Sequence, residues 1–185
     1  MPTNFELELA SNTNTFPETL ALLAKDEEWE VRYRVAKNPN TPLEILFLLS
    51  RDDHWWVRYN LANNLKITKE ILDFLAQDSS FDVRRAVALN PNTSWETLTI
   101  LAIDKDAPTR CIVAANSNTP TEVLDLLIKN HKDDLNIKDE VARNLNASYK
   151  SLIILVKDKN ETIRKSAFQN PNLPIEYKML YLMEN

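Results

Sequence analysis

Apolar residues along this chain neither alternate nor run in long blocks. They return to the same places every 26 residues. The segments VRYRVAKNPNTPLEIL, VRYNLANNLKITKEIL and VRRAVALNPNTSWETL begin at Val31, Val57 and Val83. The register extends back to Phe5 and forward to Thr109, Ile137 and Ile163. One step, from Thr109 to Ile137, is 28 residues, and its extra pair falls in the charged stretch around His131 and Asp134. Asparagine holds the eighth place of every unit, as Asn12, Asn38, Asn64, Asn90, Asn116, Asn144 and Asn170. Alanine stands two residues before it in the first six, whereas the last has Phe168, as expected where no further unit must fit. A fixed period of this length marks a repeat protein. The units are 5–30, 31–56, 57–82, 83–108, 109–136, 137–162 and 163–185, read as one repeat domain over 1–185.

Each unit predicts two short helices. The second opens where Thr is followed three residues later by Glu: Thr15 and Glu18, Thr41 and Glu44, Thr93 and Glu96, Thr119 and Glu122. That spacing is a capping box, with Pro42 and Pro120 expected at the first helical position. Leucines follow at helical spacing, as in Leu46 and Leu49. The first helix follows an Asp-bearing turn (Asp52-Asp53, Asp104, Asp158), with Asp as N-cap. It ends near the recurrent Asn, where Pro39, Pro91 and Pro171 stop it. So short a pair cannot bury its own apolar face, and stacking neighbours must supply the core. The expected fold is an all-α solenoid of seven two-helix repeats.

The string VRRAVALNPNT followed by a Glu-initiated Leu helix resembles the leucine-rich repeat variant family and, more broadly, short HEAT repeats. The resemblance covers residues 5–185. It implies a right-handed superhelix of alternating short helices, with a 3₁₀ helix admitted as one of each pair. Some members of that family carry an N-terminal cysteine cluster for an iron–sulfur centre. This chain has one cysteine, Cys111, so no cofactor is carried over.

Composition narrows the function classes. Glycine is absent, which excludes phosphate-cradling loops and the dinucleotide fingerprint. The two histidines, His54 and His131, lie far apart and have no metal-ligand spacing with the lone cysteine. No carboxylate pair stands out from those assigned to caps and ladders. The chain is therefore read as a non-enzyme with no metal. No secretory signal and no membrane-length apolar run is visible, and a single cysteine suits a reducing compartment, so the expected location is cytoplasmic. A net charge of −5 disfavours a surface built for phosphates.

A basic residue stands second in most units: Arg32, Arg58, Arg84, Arg110, Lys138 and Arg164. Alone it suggests a phosphate-tracking stripe. Five of these, however, have an Asp six residues earlier, which resembles the Asp–Arg ladder between HEAT repeats. On a wheel advancing about 100° per residue, the Arg falls inside the apolar arc. Arg32, Arg58, Arg84 and Arg110 are therefore assigned with Asn38, Asn64, Asn90 and Asn116 to a structural ladder. The opposite arc differs from unit to unit, and a partner surface is expected there. It carries Tyr33 and Arg34, Trp56 and Tyr59, Arg85 and Leu89, Cys111 and Ile112. The aromatics two places before each unit start (Trp29, Trp55, Phe81) fall on the apolar side.

The expected function is a non-catalytic scaffold offering an elongated curved surface to a protein or peptide. The alternative is a nucleic-acid-binding HEAT-like protein, and bilin-handling HEAT-repeat lyases are a more remote comparison. No membrane association is expected, and the chain should be a monomer or a weak dimer through its C-terminal repeat. The ladder assignment makes Arg84→Ala lower the melting temperature. Normal melting combined with lost ligand binding would reassign the row to a partner.

Overall fold

The computed structural model describes residues 2–184, excluding the side chain of Glu184. All regular structure among them is helical. The chain divides at Thr97–Leu98 into two compact units. The first holds α1 (Asn4–Ser11), α2 (Pro17–Leu23), α3 (Trp29–Lys37), α4 (Leu43–Leu49), α5 (Trp55–Ala62), α6 (Lys69–Leu75) and α7 (Phe81–Leu89). Helix α8 (Trp95–Leu101) spans the division. The second unit continues with α9 (Ala107–Ala115), α10 (Thr121–Asn130), α11 (Leu135–Arg143), α12 (Tyr149–Leu155), α13 (Glu161–Gln169) and α14 (Ile175–Glu184).

Odd-numbered helices are the first helices of the repeats. In the first unit α1 packs on α3, α3 on α5 and α5 on α7; in the second, α9 packs on α11 and α11 on α13. The first, fifth and sixth places face these contacts: Val31, Val35 and Ala36 in α3, Val57, Leu61 and Ala62 in α5, and Ile137, Val141 and Ala142 in α11 are buried. Alanine in the sixth place is fully buried from Ala10 to Ala142, which lets neighbouring backbones approach closely. In α13 that place is Phe168, whose ring stacks on Tyr181 of α14 at 4.7 Å. The second helices from α2 to α12 contribute one Leu pair each, such as Leu46 with Leu49 and Leu124 with Leu127. Each such side chain contributes about 1.5–3 kcal/mol by leaving water, so short helices become stable only through their neighbours.

The recurrent Asn ends the first helix and joins it to the repeat before. At Asn38 the backbone leaves the helix for an extended conformation, φ −66° and ψ 126°. Its Nδ2 then donates to the carbonyls of Ala10 (2.9 Å) and Asn12 (3.0 Å), while its Oδ1 accepts from Asn40 N at 2.9 Å. Asn64 reaches Ala36, Asn90 reaches Ala62, Asn144 reaches Ala114, and Asn170 reaches Ala142, all within 2.7–2.8 Å. Each amide thereby satisfies orphan carbonyls at the end of the previous first helix. No described residue has positive φ. The amide serves where a left-handed glycine would otherwise cap the helix.

Three local expectations need correction. Thr15, Thr41, Thr93 and Thr119 are not the caps of the second helices. Their hydroxyls turn back to the preceding first helix, as Thr41 Oγ1 to Val35 O at 2.6 Å and Thr119 Oγ1 to Val113 O at 2.5 Å. The chain enters the second helix one residue later, with Pro42 and Pro120 as the caps themselves. A capping box does form at Thr3 and Glu6. Asp52, Asp104 and Asp158 also stand two residues ahead of the N-caps His54, Asp106 and Asn160, accepting the N–H of each at 2.8–2.9 Å in an Asx turn. Finally, both helices of each pair are α. The second helices keep full-turn bonds such as Leu46 N to Pro42 O and Ser50 N to Leu46 O, both 3.0 Å, and the expected 3₁₀ helix is not found among the described residues.

The 28-residue unit has a longer second helix: α10 has ten residues where α4, α6 and α12 have seven, so the helix takes up the two extra residues and one residue of the turn. Replacing Asn38 by Ala leaves two carbonyls without a donor and should cost about 1–3 kcal/mol. Lys37→Ala, an exposed site on the same helix, should cost under about 0.5 kcal/mol. Urea unfolding of the two variants checks the difference.

Candidate functional site

Arg32 closes its own turn and reaches the next. Its Nη1 donates to Asp26 O at 2.9 Å, and Nε and Nη2 clasp the Asp52 carboxylate at 2.6 and 2.9 Å. Arg58 repeats this with Asp52 O and the Asp78 carboxylate. Lys138 ties to Asp158 at 2.8 Å. Arg84 is buried and donates to Asp78 O at 2.8 Å. In Arg32, Arg58 and Lys138 the ion pair joins the basic residue to the Asp 20 residues later, while for Arg32, Arg58, Arg84, Arg110 and Arg164 the Asp six residues earlier supplies a backbone carbonyl. A two-point guanidinium clasp has the geometry that makes Arg the residue for this task.

Asp52 carries the electrostatic consequence. Burial pushes its carboxyl upward, but the bonds from Arg32 and the His54 N–H outweigh burial and hold it below the ordinary carboxylate range. Asp158 behaves alike under Lys138 and the Asn160 N–H.

The variable arc of the first unit is a chain of rings. Trp29 lies 5.8 Å from Tyr33 and stacks on His54 at 4.3 Å. His54 continues to Trp55, and Trp55 meets Trp56 edge-on at 5.2 Å. Trp56 stacks on Tyr59 at 5.0 Å. His54 also caps α5, accepting Trp56 N at Nδ1. Arg34 lies over the Tyr33 ring at 4.8 Å and donates to Glu30 O. Arg85 lies over Phe81 at 4.5 Å with Asp82 3.6 Å away, and Leu89 is exposed.

The apolar placement of Trp55 and Phe81 needs correction, since they are 39% and 47% exposed. These residues open their helices, beyond the cover of the neighbouring first helix. Trp29 is half-buried because His54 lies on it, whereas the residue in that register beside Trp55 is Ser80.

Cys111 and Ile112 belong to the second unit and are half-buried on α9. Burial pushes the Cys111 thiol up, and the carboxylates of Glu140, Asp134 and Asp139 push it further. It stays a neutral thiol rather than a nucleophilic thiolate.

Two features escaped the sequence reading. The second helices expose an apolar row in the eighteenth place: Leu22 (75%), Leu48 and Phe74 in the first unit, Ile100 and Ile154 in the second. The 26-residue register contains this row, but an aliphatic residue among leucines reads as core. Grooves also open between successive second helices. One of about 390 Å³ lies by Asp52, Arg58, Phe74 and Asp78; another of about 540 Å³ lies by Asp125, Lys132, Lys138 and Ile154.

No family model and no curated protein matches the chain. Solved structures do. A leucine-rich repeat variant with a novel repetitive structural motif is 21% identical with a TM-score of 0.53, covering 96% of this chain and 81% of its own. The fold is that of a leucine-rich repeat variant. The YibA protein of Escherichia coli is similar at 22% identity and a TM-score of 0.54, over 91% of this chain and 74% of its own. In this leucine-rich repeat variant fold, no described helix is long and apolar enough to cross a membrane. No group of three or more His, Cys, Asp or Glu among the described residues is placed to hold a metal.

The depressed Asp52 and Asp158 carboxyls set a pH dependence for this leucine-rich repeat variant fold. A carboxyl lowered in the folded state stabilises the fold above its unfolded pKa of about 3.9, and that stability is lost as pH falls through the lower folded value. Stability to urea should therefore decline steadily below about pH 4. Asp52→Asn should lower stability at neutral pH and flatten the acid slope. An unchanged slope would mean that the pair contributes nothing.

Proposed function

We propose that this chain is a non-catalytic scaffold that binds a protein or peptide partner. The observation that carries this reading is the ring chain of the first unit, from Tyr33 through Trp29, His54, Trp55 and Trp56 to Tyr59. Rings already held against one another lose little freedom on binding, and Trp, Tyr and Arg are the side chains that dominate interface energies. Repeats that are rigid in their recurrent places and variable in their outer ones suit this use. Nucleic acid is a poorer fit, because the Arg32 and Arg58 guanidiniums are already engaged by carboxylates. The neutral Cys111 and the dispersed histidines support a role without chemistry.

Affinity capture from native extract with the wild-type chain, followed by titration of the captured species, tests the reading. Trp56→Ala and Tyr59→Ala, checked for unchanged circular dichroism, should each weaken binding about tenfold or more, as truncated hot spots do. Unaltered affinity in both would remove this surface from the function.

A further inference from the structure

The groove between α10 and α12 differs from its counterpart between α4 and α6 in a way that names a ligand. Both are bordered by a basic residue paired to the following Asp: Arg58 with Asp78 in the first unit, Lys138 with Asp158 in the second. In the smaller groove the near wall carries Asp52, and Arg51 lies over the rings of Phe47 and Phe74. In the larger one the lengthened α10 and its turn bring Lys132 to the register of Asp52, and Ile154 stands where Phe74 stands. A ladder carboxylate has become an ammonium, and a ring has become a shorter aliphatic.

The change leaves positive charge unspent. Arg110, whose register partner is now Lys132, keeps its Nη1 bond to Asp104 O but has a buried Nε without a partner. Lys129, Lys132 and Lys150 line the groove and enter no ion pair among the described residues. Of the two carboxylates present, Asp158 is held by Lys138 and Asp125 accepts the hydroxyls of Ser148 and Ser151. Three ammonium groups therefore surround a floor of Ile128, Ile154 and Leu155, on a chain whose net charge is −5. The volume, about 540 Å³, lies in the range of pockets that enclose a ligand.

We propose that this groove binds an acidic peptide segment of a partner, in which one aliphatic side chain is flanked by carboxylates. The aliphatic group fills the Ile154 floor, and the carboxylates meet Lys129, Lys132 and Lys150. A nucleic acid strand does not suit it, since no aromatic ring lines the groove for a base to stack on. The inference rests on the reading of the chain as a partner-binding scaffold, but it assigns a second surface with a different chemistry.

The test uses the full chain and a fluorescein-labelled synthetic peptide with Leu between paired Glu residues, followed by anisotropy. The acidic peptide should bind about tenfold more tightly than a matched peptide with Gln for Glu, and more weakly as salt rises. Lys132→Asp restores the ladder carboxylate, so it should raise the melting temperature while reducing peptide affinity about tenfold. Ile154→Ser should reduce affinity with the fold intact. The proposal is overturned if the Gln peptide binds equally, if Lys132→Asp retains full affinity, or if a single-stranded oligonucleotide competes as well as the acidic peptide. Trp56→Ala with Tyr59→Ala should leave peptide affinity unchanged. If the peptide fails while the Trp56-dependent partner is still captured, only the groove assignment falls. If the peptide binds but that partner is not captured, the aromatic surface falls and the groove stands.

Discussion

Everything in this fold depends on one amide reaching across a repeat boundary. Each first helix ends with carbonyls that have no partner in their own helix, and burial makes such groups expensive. Within each compact unit the Nδ2 of the Asn in the following repeat supplies the missing donor, and the alanine whose carbonyl it meets is small enough to let the helices come that close. Spacing, side-chain size and hydrogen bonding are therefore a single requirement. A larger residue at Ala36 would move the carbonyl away from Asn64, and a shift of one residue would aim the amide at apolar neighbours. A 26-residue period meets that requirement, and the 28-residue unit meets it as well, because its extra pair lies outside the helix end and the Asn.

The Arg–Asp clasp is a second link across the same boundary, and it tolerates change better. Its acceptor is a side chain rather than the backbone, so one substitution can remove it without unbuilding the helix end. Lys138 replaces Arg and still pairs with Asp158. Lys132 removes the carboxylate, while Asn144 still bonds to Ala114 and Asn116 in the same stretch of chain. A repeat can lose its ionic link and keep its backbone link. The ladder is thus a place where the surface chemistry can vary without losing the stack.

The helix pairs, the places of the buried aliphatics and the recurrence of Asn, Ala and Arg were legible in the chain because each repeats where packing demands it. Cap assignments were not. Thr41 satisfies the pattern of a capping box, but its hydroxyl donates to the carbonyl of Val35, and Pro42 takes the cap. The same four letters describe both arrangements, and only the path of the turn decides between them. The members of the Asp–Arg ladder were legible, but the register of their pairing was not, for a similar reason. A residue six places away is near in sequence, but the carboxylate 20 places on is the one that stacking brings within 2.6 Å. On the surface, a helical wheel treats every turn as equally covered. Trp55, at the open end of α5, shows that the first turn is covered only by what the adjacent turn provides.

Irregularity within a repeat array carries more functional information than regularity does. Residues required for stacking recur in unit after unit, so their presence says how the chain folds and little about what it binds. The 28-residue unit departs from the units before it in three linked ways: a longer second helix, a lysine in the ladder register, and a groove of larger volume beside it. Two added residues alone need not have changed the charge, because an Asp could have stood at the same turn, and Asp133 lies next to Lys132 in the sequence. Instead the ammonium occupies the ladder register, Arg110 keeps a buried Nε–H without an acceptor, and the neighbouring lysines remain outside any ion pair among the described residues. An arrangement that forgoes a favourable ion pair inside a fold built on them is the mark of a site kept open for an external carboxylate.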